Sequence, residues 1–529
     1  MLGVGLDDLV RRDAQRRARA ARNWVAASAT ITASMAFAAA YSINQRNEAQ
    51  VMRGKAETLI EFMLSDLSDR LEPVGKLDIL QAVGGEVLDY YADQDLKSLD
   101  PAALSRRAQA LMKLGQVDER RGDLDAALKA YEAAFASTEE QLRRAPSDPD
   151  RVFDHAQSVF YVGNVALIRG DYNEGEARFQ QYFDMAQTLV EFDKVNPKWR
   201  LEVSYSANNL GALAFNRAKY AASIPYFEKA VETRRELAGE SPDDRKFKLA
   251  YASALSWLAY AQIAVGENGN ALDQLNKEIA IYESLDASAS SEDFLALEKR
   301  ITAERRVSVA QLSLGNVVEA KFALDRAERI GEMLVGREPD NLLALNNIAI
   351  TQRLQSNLSG LSGDKRSALT EAERALSAAR AVAKRDKSQV AFKANLGYAL
   401  AQRIIIEPES AASALEELDT LLRDPSIGST GNDPEFRVRA GLAQAVHARS
   451  IGRAEDAKRL ASQTLAAVEV GSFQLTVEAQ RTLALLLAES GDRDGSSQIC
   501  DQLLAKGIRH PELLALQKGL RNDRVTSRP

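Results

Sequence analysis

The most regular feature of this chain is a pattern of small and large residues that recurs along much of its length. Five glycines and one alanine fall on a single register, with successive gaps of 48, 48, 48, 49 and 48. These positions are Gly122, Gly170, Ala218, Gly266, Gly315 and Gly363. A recurrence of this kind predicts an array of similar structural units.

The residues around each register position also recur. Five positions downstream lie the small residues Ala127, Gly175, Ser223, Ala271, Ala320 and Ala368. Nine positions downstream lie the large residues Tyr131, Phe179, Phe227, Leu275 and Leu324, whereas the sixth unit has the small residue Ala372 at this position. Upstream come the large-then-small pairs Leu114-Gly115, Val162-Gly163, Leu210-Gly211, Leu258-Ala259 and Val307-Ser308. Because small residues let two helices approach and large ones fill the gap, each unit is predicted to be a helical hairpin.

Turn signals separate the two predicted helices. The register glycine is suited to the left-handed conformation that ends a first helix. Aspartate follows it as a candidate cap for the second helix in Gly122-Asp123, Gly170-Asp171, Gly363-Asp364 and Gly491-Asp492. Prolines near the ends of the units are predicted to stop the second helices. They are Pro149, Pro197, Pro242 and Pro339.

This pattern resembles the tetratricopeptide repeat, a two-helix unit of about 34 residues. Each unit here is longer by roughly four helical turns, which is similar to the long-helix variants of kinesin light chains and of some bacterial signalling proteins. The Trp and Tyr usual in the first helix are mostly absent, so the resemblance is to the architecture. It implies an all-α, right-handed α-solenoid. The scarcity of Gly (30) and Pro (13) in 529 residues agrees with a helical chain of several units.

The chain divides into seven predicted segments. In order they are a basic tail at 1–23, a transmembrane helix at 24–43, a helical linker at 44–100, the regular array at 101–423, a linker at 424–434, shorter repeats at 435–520 and a disordered tail at 521–529. Within the array, Phe392–Leu422 is predicted to form a hairpin without a central glycine. Gly452 and Gly491 mark the centres of the shorter repeats.

The segment 24–43 is an uncharged run in which eight positions are Ala and five are Ser or Thr. As a helix this run would be about 30 Å long, the thickness of a bilayer core. Trp24 and Tyr41 are placed like interfacial anchors, and arginines precede the run at Arg11, Arg12, Arg16, Arg17, Arg19 and Arg22. The positive-inside bias then predicts a single-pass bacterial inner-membrane protein with a cytoplasmic N-terminus and periplasmic repeats.

Two alternatives to an anchor remain open. Ala36-Phe37-Ala38 and Ala38-Ala39-Ala40 resemble signal-peptide cleavage sites, and the run could also be an Ala-rich soluble helix. Small residues at a spacing of four would let two such helices pair as a homodimer, although simple abundance of Ala is the competing explanation. These residues are Ala26, Thr30, Ser34 and Ala38.

Composition and motifs argue against nucleic-acid binding, metal binding and catalysis by this chain. The net charge is −7, divided into +3 over residues 1–23 and −10 over the rest, so no nucleic-acid partner is predicted. The three histidines, His155, His447 and His510, and the single Cys500 share no ligand spacing, so no metal site is expected. Phosphate-binding loops and nucleophile motifs are missing as well, and we expect neither a cofactor nor enzymatic activity.

A second resemblance concerns the membrane-proximal region. Ala56–Tyr91, followed by Leu99-Asp100-Pro101 and Arg121-Gly122-Asp123-Leu124, resembles bacterial proteins that join a cytoplasmic effector domain to a transmembrane helix and an external tetratricopeptide array. Effectors in that group are TIR-like domains, kinases and nucleotide cyclases, and Leu2–Leu9 is similar to the junction after a TIR-like domain. The segment 1–23 before the apolar run is too short for an effector domain. The resemblance therefore implies a sensory or scaffolding half, either a truncated relative or a chain that starts downstream of a longer reading frame.

Stacked hairpins present their first helices along one concave surface. The positions that line this surface in the tetratricopeptide repeat correspond to Gln109, Met112, Gln116, Gln157, Phe160, Asn164, Tyr205, Asn208, Tyr260, Thr302 and Arg305. Their amides and aromatic rings suit a protein or an extended peptide, although the same residues could instead pack against neighbouring repeats. The leading hypothesis is a sensory interaction module, and the alternative is an envelope scaffold or chaperone-like adaptor.

Overall fold

The computed structural model describes residues 6–64, 81–92, 94–285, 292–387, 389–424, 427, 434–468 and 475–526, and the regular elements within these ranges are helical. The chain forms two compact units, 1–66 and 67–529. The prediction of an all-α chain of tandem helical hairpins is confirmed. Most of the predicted linker at 424–434 lies outside the described residues.

The first unit contains one long helix, α1 (Leu6–Phe62). Its stretch Ala14–Gln45 is long and apolar enough to cross a membrane, and the most apolar window within it is not buried. Trp24 and Tyr41 are 78% and 60% exposed, and the basic residues Arg16, Arg17, Arg19 and Arg22 are exposed on the same helix. A membrane span has this length and composition.

The second unit begins with α2 (Gln81–Ala92) and a short 3₁₀ turn at Leu96–Ser98, followed by hairpins. The hairpins are α3 (Pro101–Arg120) with α4 (Leu124–Arg144), α5 (Pro149–Ile168) with α6 (Tyr172–Phe192), α7 (Pro197–Asn216) with α8 (Tyr220–Glu240), α9 (Arg245–Val265) with α10 (Asn268–Leu285), α11 (Glu292–Ser313) with α12 (Val317–Arg337), α13 (Leu342–Leu361) with α14 (Lys365–Arg385), α15 (Val390–Ile406) with α16 (Ala412–Leu422), α17 (Pro434–Ser450) with α18 (Ala454–Ala467), and α19 (Val477–Ser490) with α20 (Arg493–Ala505). A final helix, α21 (Pro511–Thr526), closes the series.

A left-handed residue separates the two helices of each regular hairpin, as predicted. The register glycines have φ between 78° and 94°, and Ala218 takes the same left-handed region with φ 56°. The predicted aspartates cap the second helices: the carboxylates of Asp123, Asp171, Asp364 and Asp492 each accept a hydrogen bond from the backbone N–H three residues on, at 2.9–3.3 Å. In the hairpins with Asp123, Asp171 and Asp364 the boundary between the two helices is therefore determined locally, by one glycine and one cap. Helices α8 and α12 follow Lys219 and Asn316, which make no side-chain cap hydrogen bond.

In the first three hairpins the two helices meet where a glycine of the first helix faces an aromatic ring of the second. A Cβ added at Gly163 or Gly211 would lie 2.8 Å from the nearest side-chain atom, with the ring of Phe179 or Phe227 at 3.0 Å or less, and at Gly115 it would overlap Tyr131. These rings are at most 1% exposed. The large-and-small code read from the sequence therefore describes real helix–helix packing.

The prediction for the prolines was wrong in two cases. Pro149 and Pro197 are the first residues of α5 and α7, so they begin a first helix and do not end a second one. Proline suits this place because the first helical residue needs no intrahelical N–H donor and because its ring holds φ near the helical value. Pro242 and Pro339 lie in the loops between units.

The C-terminal half follows the prediction in outline. Helices α15 and α16 form the hairpin expected over Phe392–Leu422, joined by a 3₁₀ turn at Pro408–Ser410. Helix α21 continues to Thr526, well into the segment predicted as a disordered tail. Leu513 and Leu520, which precede that segment, are buried and hold the helix against the preceding hairpin.

Gly211→Ala should lower the free energy of unfolding by about 1–2 kcal/mol, because overpacking a filled core costs roughly 1–3 kcal/mol and outweighs the helix propensity of Ala. The measurement is urea unfolding of the full chain in detergent. Gly239→Ala, at an exposed helical position with no atom within 4 Å of the added Cβ, is the control and should stabilise slightly. Equal effects of both variants would contradict the proposed close contact, and Phe227→Leu should partly rescue Gly211→Ala.

Gly170→Ala should destabilise the second hairpin by roughly 1 kcal/mol, since a left-handed backbone is unfavourable for a residue with a Cβ. Nothing lies within 4 Å of the added Cβ, so the strain is purely conformational. Hydrogen exchange should become faster at the end of α5 and the start of α6, with Gly239→Ala again as control. Unchanged exchange there would show that the turn does not require a glycine.

Candidate functional site

First helices of the last six hairpins surround a cavity of about 230 Å³. Each helix from α9 to α19 that opens a hairpin contributes to it. The charged and aromatic lining residues are Tyr260, Arg306, Arg353, Tyr398, Glu435, Arg439, Glu478 and His510. Apolar side chains such as Ile263, Val309 and Leu354 complete the wall. The cavity is therefore partly charged and partly apolar, as ligand sites commonly are.

The C-terminal hairpins close this cavity by returning to α9 and α11. The backbone N–H of Arg509 donates to the carbonyl oxygen of Ser313 at 2.7 Å. A Cβ added at Gly315 would lie 3.0 Å from the Arg509 carbonyl oxygen, and one added at Gly266 would lie 3.2 Å from Val477. Gly266 and Gly315 thus have a second role, because they leave room for the later part of the chain.

Three guanidinium groups line the cavity with mainly neutral partners. Arg306 donates to the carbonyl oxygen and to Oγ of Ser256 at 3.2 and 2.5 Å, and lies over the Tyr260 ring at 4.6 Å. Arg439 donates to Oε1 of Gln402 at 2.6 Å. Such side chains keep their full positive charge while their hydrogen bonds go to uncharged groups.

Arg353 is the least satisfied of the three. Its guanidinium lies over the Tyr398 ring at 5.2 Å, and its Nε is buried without a hydrogen-bond partner. Burial lowers the pKa of Arg353, and the positive charge of Arg439 lowers it further. The pKa of Arg439 is lowered by burial and then by Arg481. The carboxylates of Glu478 and Glu435 act in the opposite direction on the pKa of both arginines, so charges of both signs meet in this part of the cavity.

Two carboxylates, Glu435 and Glu478, line the cavity together with the three guanidinium groups. Glu478 forms an ion pair with Arg481, which also contacts Glu512, while Glu435 accepts a hydrogen bond from Oγ1 of Thr476 at 3.2 Å. Burial alone would raise the pKa of Glu478, but Arg481 and neighbouring cations bring it down to about 2. The Glu478 carboxylate is therefore ionised at neutral pH and already committed to Arg481.

His510 is uncharged at neutral pH. Burial lowers its pKa to about 3, and the charge of Arg481 acts in the same direction. Its Nδ1 accepts a hydrogen bond from the backbone N–H of Glu512 at 3.2 Å, so the proton of the neutral ring lies on Nε2. The cavity thus combines a surplus of guanidinium charge with neutral donors, an arrangement that can bind an anion.

Most amides predicted for the concave surface connect neighbouring first helices. Gln116 donates to the Tyr161 hydroxyl at 2.5 Å, Asn164 to Glu119 at 2.8 Å and Gln157 to Glu202 at 2.9 Å. These three contacts form what we call the amide ladder, which joins α3, α5 and α7. The side chains do lie together, but their hydrogen bonds are used between repeats.

The remaining predicted residues have more varied surroundings. Phe160 packs on the Phe179 ring, and Tyr205 lies under the Arg234 guanidinium at 4.7 Å. Arg305 donates to the Asn347 carbonyl oxygen at 3.3 Å and to Thr302 at 3.1 Å. Burial lowers the pKa of Arg305 to about 9, with Arg306 contributing.

Four predicted residues differ in exposure. Gln109 is exposed, Met112 half-buried, Asn208 9% exposed and Tyr260 38% exposed. Of the predicted residues, Tyr260 lines the cavity. The prediction that this surface binds a partner stays a prediction, as does the absence of a metal or cofactor.

Sequence reasoning missed the arginines of the cavity. Arg306 and Arg353 are separated by close to one repeat length, and this recurrence was the available signal. An arginine on an amphipathic helix is usually solvated, so spacing alone does not identify a cavity. Arg439 and His510 come from the irregular C-terminal repeats, where no register exists to place them.

Comparisons with known proteins agree with the repeat architecture. The family model for the tetratricopeptide repeat matches residues 203–244, which include α8 and most of α7. No curated protein sequence matches this chain.

Solved structures show low similarity over long stretches. The apo form of RapI is 11% identical, with a TM-score of 0.47, over 80% of this chain and 99% of that one. A Rap protein complexed with competence and sporulation factor is 13% identical, with a TM-score of 0.42, over 81% and 99%. An IFIT1 monomeric mutant with Gppp-AAAA is 13% identical, with a TM-score of 0.39, over 83% and 99%. The described part of this chain is thus an array of helical hairpins, one of which matches the tetratricopeptide repeat.

Proposed function

We propose that this chain is a membrane-anchored interaction module whose repeats bind a protein or an extended peptide. In this proposal α1 crosses a bacterial inner membrane once, with the basic residues 1–23 in the cytoplasm and the repeats in the periplasm. The module acts as the sensory or scaffolding half of a signalling system. It performs no chemistry of its own, and pairing of α1 with a second copy would make it a homodimer.

The observation that carries this proposal is the combination of one long exposed apolar helix with a tandem array of hairpins. A helix with an unburied apolar window of this length needs a non-aqueous environment or a partner. The array presents its first helices on one side, as repeat proteins that bind extended ligands do.

The first three hairpins offer the best surface for a peptide. Gln109 is exposed on α3 and Met112 is half-buried one turn further along, next to the amide ladder. The ladder holds amide and carboxylate groups at fixed positions across α3, α5 and α7. A peptide backbone could join this network, because each carboxylate and amide oxygen has two lone pairs and can accept a further hydrogen bond.

A C-terminally tagged full chain should remain in the membrane fraction after alkaline washing and be released by detergent, because a helix of about 20 apolar residues anchors effectively irreversibly. Protease added to spheroplasts should remove the tag. Recovery of a shortened, soluble chain would reject the anchor in favour of a cleaved signal peptide.

As a test of orientation, replacing Arg16, Arg17, Arg19 and Arg22 by Asn should reduce the fraction of molecules whose repeats lie in the periplasm.

Asn164→Ala combined with Asn208→Ala should weaken partner binding roughly 10- to 30-fold, since two hydrogen bonds contribute about 1 kcal/mol each. The measurement is affinity for a partner isolated by cross-linking in cells. Gln180→Ala combined with Asn270→Ala is the matched control, because both amides are exposed on second helices. Equal affinity of both double variants would count against the first-helix surface.

A further inference from the structure

We propose that the cavity between α9–α13 and the C-terminal hairpins binds a compact organic anion, whose carboxylate or phosphate group is held by Arg353 and Arg439. This site is separate from the amide ladder, so the inference goes beyond the proposed partner binding. It rests on three features of the cavity: an unsatisfied donor, an excess of positive charge and a small volume with apolar walls.

The unsatisfied donor is Nε of Arg353. It is buried and has no hydrogen-bond partner, while the guanidinium lies against the Tyr398 ring. An unmade hydrogen bond at a buried charged group is costly, and nearly all such groups in folded proteins have partners. An anion beside Tyr398 would supply the acceptor and could engage the guanidinium through two parallel hydrogen bonds.

A bound anion would also explain the excess of positive charge in the cavity. Arg306 and Arg439 donate to Ser256 and Gln402, which carry no charge, so the repulsion between Arg439 and Arg353 is not offset by these partners. Two carboxylates, Glu435 and Glu478, face the three guanidinium groups in the cavity lining, and Glu478 is also paired with Arg481, so positive charge remains in excess. Charges arranged at a cost to stability are typical of sites that bind or react with a ligand. A bound anion would neutralise this repulsion.

The volume and walls limit what the ligand can be. A cavity of about 230 Å³ holds roughly seven or eight water volumes, which is below the usual range for drug-sized ligands. The rings of Tyr260 and Tyr398 and the side chain of Leu354 offer apolar contact beside the guanidinium groups. The site therefore fits an anionic group on a short, flat or apolar body.

The walls come from the middle of the array and from its C-terminal hairpins, and this links binding to the contact between them. Tyr260 and Arg306 belong to α9 and α11, while His510 belongs to the segment that follows Arg509 and its hydrogen bond to Ser313. A ligand that binds only the closed arrangement stabilises it by mass action. Occupancy of the cavity would therefore hold the C-terminal hairpins against α9 and α11.

The test uses the purified full chain in detergent, with benzoate and phenyl phosphate as anionic probes and benzyl alcohol as the neutral probe. At saturation, benzoate or phenyl phosphate should raise the midpoint temperature of thermal unfolding by roughly 2–5 °C. Benzyl alcohol should leave this temperature unchanged. Benzoate and phenyl phosphate distinguish a carboxylate from a phosphate ligand. Failure of both anions to bind, or equal binding of benzyl alcohol, would overturn the proposal.

Arg353→Gln and Arg439→Gln should each raise the dissociation constant of the bound anion about 10- to 100-fold, as expected for a lost charged hydrogen bond. Without ligand, Arg353→Gln should unfold at the same temperature as the wild type or above it, because a repelling charge is removed. Arg329→Gln, on an exposed face of α12, is the matched control and should bind normally. Retained affinity in Arg353→Gln would refute the assignment, whatever the outcome for the partner-binding surface.

Discussion

The structure depends on one repeated contact, in which a small residue of a first helix receives the large side chain of the second helix. Gly115, Gly163 and Gly211 meet Tyr131, Phe179 and Phe227 in this way. The contact brings the two backbones close together, and it leaves no freedom to slide one helix along the other without a clash or a void. The left-handed turn residue then needs to lie at a constant distance from the contact, and this requirement explains why the small residue, the turn and the large residue keep the same spacing within each hairpin.

Stacking of these hairpins brings all first helices to one side, where their polar residues meet one another. Each turn of a first helix lies beside the corresponding turn of the next, so an amide such as Asn164 reaches Glu119 one repeat away. Buried or half-buried amides need partners, and a neighbouring repeat is the nearest source. Most predicted binding amides therefore take part in the cohesion of the array.

The cavity arises from a different level of organisation. The hairpins containing α17 to α20 are shorter than the earlier ones, and the segment around Arg509 returns to the ends of α9 and α11. This return encloses arginines from successive first helices, which would otherwise be separated and solvated. Enclosure strengthens their repulsion because the interior screens charge less than water does. The resulting balance between packing and charge distinguishes this part of the molecule from the first three hairpins.

The sequence by itself determined the hairpins, because their signals are local: a small residue, a large residue sixteen positions later, a glycine between them and an aspartate cap. Turn geometry and helix packing act over these short distances and need little further context. The two errors at Pro149 and Pro197 were also local, since proline can end one helix or begin the next. Only the tertiary structure decided that Arg306, Arg353, Arg439 and His510 share a cavity. Their proximity depends on the rotation between each repeat and the next, added over several repeats. No pattern of residues along the chain predicts this total rotation.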